Sequence, residues 1–136
     1  MNDTQQIDAM LAAQTYAVVG ASTNPEKYGN IAFRMLKSYG KTVYGVNPRR
    51  GEIDGDSFFP SVTSLPEVPH VVVAVVPPAI TEKLVDELAH VGVGSLWIQP
   101  GAESAKAITD AEAYGINLVA GGPCILVGLR THLGVR

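Results

Sequence analysis

The sequence predicts an α/β fold: one domain over residues 1–136, built on a doubly wound, five-stranded parallel sheet. Three observations predict it. Strand-like and helix-like segments alternate from Tyr16 to Gly121, the order that right-handed β-α-β crossovers produce. The strand-like segments are continuous apolar runs rather than alternating ones, as parallel strands covered on both faces require. The chain of 136 residues, 46% hydrophobic and 17% charged, is long enough for a three-layered core and too apolar to be disordered.

Taken in order, Ile7, Met10 and Leu11 fall at helical spacing and predict a short first helix from Thr4 to Gln14. "TYAVVG" reads as a buried strand ending at Gly20. "NIAFRMLKSYG" reads as a helix with Ile31, Met35, Leu36 and Tyr39 on its apolar face and Gly40 as its C-terminal stop. "KTVYGV" and "PHVVVAVV" are the second and third strands. "AITEKLVDELAHVG" is an amphipathic helix turning Leu84, Val85 and Leu88 inward and closed by Gly92. "GSLWIQ" is a strand, "AESAKAITDAEAYG" a helix, "INLVAG" the fifth strand, and a last short helix begins near Ile125. This is a Rossmann-like arrangement.

Composition excludes several classes of function. The longest apolar run, "VVVAVVPPAI", is too short and too proline-broken to cross a bilayer. The start, "MNDTQQIDAMLAAQ", carries acids and no basic residue, unlike a secretory signal. A single cysteine, Cys124, allows no internal disulfide and fits a reducing, cytoplasmic setting. The net charge of −3 argues against nucleic acid as a partner. The distribution of charge says more. From Lys27 to Arg50 there are six basic residues and no acid, while the rest of the chain holds four basic residues and all thirteen acids. Such a local positive field suits a small anionic ligand in a cleft. Arg34 and Lys37, three apart on a helix, read instead as a solvated face.

In a doubly wound sheet, ligands bind beyond the carboxyl ends of the strands, where strand order reverses. The five segments found there are "GASTN", "NPRRG", "PPA", "PGAES" and "GGPC". All are rich in glycine, proline or small polar residues, which let a ligand approach the backbone closely. Behind Gly20, free N–H groups at the start of the next helix form an anion site. Ser22 and Thr23 add hydroxyl donors, Pro25 fixes a bend, and Lys27 lies near the helix start. Eight residues separate Gly20 from Gly29, so the G-x-G-x-x-G spacing of a dinucleotide site is absent. The second strand ends Val46-Asn47-Pro48-Arg49-Arg50, with no acid for ribose hydroxyls. Arginine there selects a phosphate near the ribose. NADP, with its 2′-phosphate, and coenzyme A, with its 3′-phosphate, both qualify.

"GAS" with its long loop, "VNPRRGEIDG", "VVPPAITEKLVDELAHVGVGSLWIQPGAES" and "GGPC" resemble the CoA-binding domain family over roughly residues 14–130. This is the fold of the amino-terminal domain of the succinyl-CoA synthetase alpha subunit, which also occurs as stand-alone bacterial proteins of about this size. The resemblance implies CoA or acyl-CoA as ligand. It places loop contacts at Ala21, Ser22, Thr23 and Asn24, a basic contact at Arg50, and a third contact at Ile98, Gln99 and Pro100. Pro77 and Pro78 correspond to a cleft wall at the adenine-ribose end. The synthetase has an acid where this chain has Pro100, so a carboxylate is lost there. Its phosphorylated histidine lies in a second domain without a counterpart here, and His70, His90 and His132 do not replace it. The resemblance thus implies a binding module rather than an enzyme, with no nucleic acid or membrane partner. An NADP-dependent oxidoreductase and a protein-interaction domain with an empty cleft are the alternatives. Cys124, beside "GGP" at a predicted helix start, reads either as a small buried hydrophobe or as a reactive thiol able to meet the thiol end of CoA.

Overall fold

The computed structural model describes residues 4–133. Helix α1 (Thr4–Ala12) buries Ile7, Met10 and Leu11, the face its spacing predicts. Five parallel strands follow, β1 (Thr15–Val19), β2 (Thr42–Val46), β5 (Val71–Ala74), β6 (Ser95–Ile98) and β7 (Asn117–Val119), in the sheet order β2-β1-β5-β6-β7. Strand order therefore reverses between β1 and β5, and the ligand crevice of such a sheet opens at that junction.

Side chains along each strand alternate between two separate cores. Ala17, Val19, Val72, Ala74, Leu96 and Ile98 face α3 (Pro78–Val91) and α4 (Ala105–Ala113). Tyr16, Val18, Val71, Val73 and Trp97 face α1, α2 (Tyr28–Ser38) and α5 (Ile125–Leu133). Helix α3 ends as predicted at Gly92, whose φ of 93° caps it through an N–H bond to the Leu88 carbonyl. No helix among the described residues is long and apolar enough to cross a membrane.

Three local predictions need correction. Helix α2 buries Gly29, Asn30, Ala32, Phe33 and Leu36, whereas Ile31, Met35 and Tyr39 are only half-buried. The helix is turned because Gly29 lies directly against the Gly20 carbonyl, where any Cβ would overlap it. The third strand is shorter than its valine run. Val75 gives one N–H to the Val19 carbonyl at 2.9 Å, and the chain then leaves the sheet. Between β2 and β5 lies an unpredicted hairpin, β3 (Glu52–Ile53) with β4 (Asp56–Ser57). Asp54 (φ 50°) and Gly55 (φ 88°) form its turn, the left-handed pair that a two-residue hairpin demands. The chain returns so that Phe59 pairs beside Val46, extending the β2 edge.

Candidate functional site

The loop after β1 is tied to its neighbours at several points. Gly20 has φ 96°, and a Cβ on it would overlap the Val75 carbonyl. The glycine is thus required by the backbone of the neighbouring strand end. The N–H groups of Gly20 and Ala21 are both spent on the Val46 carbonyl, at 3.0 and 3.3 Å. Asn47 donates its amide to the Ala21 carbonyl at 2.8 Å and accepts the Arg49 N–H at 2.8 Å. Asn30, buried, donates to the Ser22 carbonyl at 2.8 Å and accepts from Arg34 Nε at 2.6 Å. Arg34 also reaches the Pro25 carbonyl at 3.3 Å. Asn24 N–H donates to Ser22 Oγ at 3.1 Å, which leaves the hydroxyl proton of Ser22 available. The N–H groups of Ser22, Thr23, Tyr28 and Gly29 make no bond to any described residue. They belong to the tip of this loop and the first turn of α2, the place where the helix dipole favours an anion.

Two cavities open on this edge of the sheet. One, of about 560 Å³, is lined by the loop from Gly20 to Thr23, by Lys27, Asn47, Arg49 and Arg50, and by Glu26 and Phe58. The other, of about 370 Å³, is lined by Val76, Pro77, Gln99, Pro100, Gly101, Ala102 and Cys124, with no charged side chain. Tyr28 and Val75 line both, so the two adjoin at the β1/β5 junction, one bearing three cations and one acid, the other no charged side chain.

The cations divide cleanly. Lys37 pairs with Asp56 at 2.9 Å, and Arg34 braces the loop as described, so neither is a merely solvated residue. Lys41 donates to the Leu11 and Ala13 carbonyls at 2.8 and 2.7 Å, and burial lowers its pKa. Lys27, Arg49 and Arg50 are exposed, line the cleft, and have side chains with no partner among the described residues. These three cations line the same cavity as the loop bearing the free N–H groups, with Glu26 as its one acid, an arrangement whose field favours an anion.

Of the predicted contacts, Gly20, Ala21, Ser22, Thr23, Lys27, Asn47, Arg49 and Arg50 line the cationic end, and Pro77, Gln99 and Pro100 the neutral end. Asn24, Pro48, Pro78 and Ile98 line neither. Ile98 is fully buried, Pro78 is the first residue of α3, and the Asn24 side chain accepts the Glu26 N–H at 2.9 Å. Gln99 is also occupied internally. It accepts the Ile125 N–H at 2.6 Å and donates to Cys124 Sγ at 3.3 Å, fixing the turn that opens α5. Cys124 is half-buried there. Sequence reasoning missed Glu26, Tyr28, Gly29, Phe58, Val75, Val76, Gly101 and Ala102. Tyr28 alone carried a signal, as an aromatic residue at a helix start beside a cationic loop. His70 lies at the opposite end of the sheet, with Nδ1 2.6 Å from Thr15 Oγ1, and His90 is exposed in the last turn of α3. The side chain of His132 lies outside the described residues. No cluster of metal ligands occurs among the described residues.

Residues 14–130 match the model of the CoA binding domain family. The chain belongs to that family. Its ligand is coenzyme A, a multiply phosphorylated nucleotide joined to an uncharged arm. The ADP-forming acetate–CoA ligase I of Archaeoglobus fulgidus is 33% identical over 140 residues, covering 96% of this chain and 20% of that protein. The alpha subunit of the ADP-forming acetate–CoA ligase II of Pyrococcus furiosus is 29% identical, over 96% of this chain and 30% of its own. This CoA-binding domain thus spans less than a third of either relative. Among solved structures, a hypothetical protein from Pyrococcus horikoshii OT3 superposes with a TM-score of 0.90 at 30% identity, covering 98% of this chain and 100% of that one. The dinucleotide-forming acetyl-coenzyme A synthetase 1 of Ca. Korarchaeum cryptofilum, in complex with phosphate and ADP, gives 0.73 at 30% identity, over 90% and 28% of the two chains.

Proposed function

We propose that this domain binds CoA or acyl-CoA as a module, presenting or sensing the ligand rather than transforming it. The nucleotide end lies in the cationic half of the cleft, with the pyrophosphate on the free N–H groups of the β1–α2 loop. Lys27, Arg49 and Arg50 face the phosphates, and the neutral half takes the thiol-bearing arm. The observation that carries this reading is that three unpartnered cations line one cavity with those N–H groups, and that an uncharged cavity adjoins it at Tyr28 and Val75.

If Arg49 or Arg50 holds the 3′-phosphate, CoA binds more tightly than dephospho-CoA by about 1.5–3 kcal/mol, the worth of a charged hydrogen bond. That is roughly ten- to a hundredfold in dissociation constant. Calorimetric titration with CoA, dephospho-CoA and NADP tests it. Replacing both arginines with Gln abolishes the preference and leaves dephospho-CoA affinity nearly unchanged. Equal affinities for CoA and dephospho-CoA in the unmodified protein would remove the arginines from the site. Tighter binding of NADP than of CoA would overturn the proposal in favour of a nicotinamide-dependent function.

A further inference from the structure

Tyr28 is a large side chain, 58% exposed, at the seam of the cleft. Its ring and hydroxyl make no hydrogen bond or ring contact with any described residue. Its backbone, in contrast, is held firmly. Gly29, the next residue, is packed against the Gly20 carbonyl, and Asn30 after it is bonded to the Ser22 carbonyl at 2.8 Å. The ring is therefore carried on a fixed first turn of α2, beside both the cationic and the neutral cavity. A solvent-exposed aromatic residue with no partner, at a rigid position in a cleft, is preorganised for packing on a ligand.

The ligand changes character at this same seam. Just beyond the pyrophosphate of CoA comes a quaternary carbon bearing two methyl groups, then amides and the thiol. With the pyrophosphate on the N–H groups of Tyr28 and Gly29, the Tyr28 side chain stands against the first carbons past it. We infer that Tyr28 is a specificity residue: its ring packs on the branched carbons next to the pyrophosphate and distinguishes CoA from a bare phosphorylated nucleotide. This inference rests on the CoA reading above and assigns the seam of that site.

The test compares CoA with 3′-phosphoadenosine 5′-diphosphate, the same nucleotide lacking the arm, by calorimetry on the unmodified protein, Tyr28→Ala and Tyr28→Phe. Tyr28→Ala is expected to weaken CoA binding roughly tenfold, the scale of a lost aromatic packing contact. Its affinity for the nucleotide should stay unchanged, which also shows that the loop is intact. Tyr28→Phe should bind CoA like the unmodified protein, because packing needs the ring and not the hydroxyl. Equal losses for both ligands, no loss for CoA, or a phenylalanine variant as weak as the alanine variant would overturn the role. Failure of the unmodified protein to bind CoA would instead overturn the parent reading and this role together.

Discussion

Single residues around the cleft divide into those spent on holding the loops and those without a protein partner, and sequence alone separates them poorly. The free cations were legible, because charge stands out against a chain with a net charge of −3. The amides were not. Asn47 and Gln99 have the chemistry of ligand contacts, yet both are spent inside the protein, on Ala21 and Arg49 and on Cys124 and Ile125. Which way an amide faces depends on partners distant in sequence. The glycines show the same limit, since Gly20, Gly29 and Gly40 look alike in the chain and differ in what surrounds them. Gly40 has φ 81° and open space around it, so Gly40→Ala should cost only the left-handed backbone strain, about 1–2 kcal/mol. Gly29→Ala presses a methyl into the Gly20 carbonyl and should cost about 1–3 kcal/mol or more through overpacking. Gly20→Ala incurs both penalties and should be the least stable of the three. Urea denaturation orders them. A Gly20 variant as stable as the Gly40 variant would show that the loop is not fixed by this backbone contact.

At the scale of elements, periodicity revealed every strand of the main sheet, because burial on both faces writes an unbroken apolar run. It failed where a feature is too short to have a period. The hairpin has strands of two residues each, and its only mark in the chain is the Asp-Gly pair. The valine run from Val71 to Val76 also hides the point where the strand stops, since Val75 and Val76 look no different from core residues but form the cleft wall. Helix α1 was legible as a helix but not in how it is fastened. Nine residues are too few to hold a helix alone, and this one is anchored by Tyr16, whose hydroxyl donates to the Met10 carbonyl at 2.6 Å. The Lys41 ammonium bonds the Leu11 and Ala13 carbonyls at its end. Burial raises the Tyr16 pKa above that of a free phenol. Below about pH 10 both folded and unfolded chains keep this proton, and it has no effect on the pH dependence. Above that, the unfolded phenol ionises first, so stability falls with rising pH towards the folded value. Lys41 acts in the opposite sense, since its lowered pKa means the folded chain releases that proton first. Comparison with Tyr16→Phe isolates the tyrosine. The variant should be less stable by about 1 kcal/mol at pH 8 for want of the hydrogen bond, and the gap should narrow as pH passes about 10. Denaturation curves giving the same gap at pH 8 and pH 11 would mean that the phenol is not held protonated by the fold.

For the molecule as a whole, two chemically unlike cavities adjoin at the junction where strand order reverses, and a ligand spanning them, as proposed, would couple both to global stability. A ligand bound by the folded chain alone, at a hundred times its dissociation constant, adds about 2.7 kcal/mol. In a domain of this size, that corresponds to a rise of about 8–12 °C in melting temperature. The salt dependence of the rise reports how the ligand is held. Lys27, Arg49 and Arg50 are exposed, so their attraction to phosphate is screened as the Debye length falls from about 10 Å at 0.1 M salt towards about 3 Å at 1 M. At fixed ligand concentration the rise with CoA should therefore shrink with salt, and shrink more steeply than the rise with dephospho-CoA, which lacks one phosphate. Replacing Arg49 and Arg50 together with Gln should bring the two ligands to the same rise and the same salt slope. The hydrogen bonds that shape the loop do not involve these guanidinium groups, so the melting temperature without ligand should hardly change. Thermal melts at several salt concentrations measure all of this on one instrument. A rise with CoA that ignores salt would show that the free cations do not hold the phosphates and would shift the binding energy to the neutral half of the cleft.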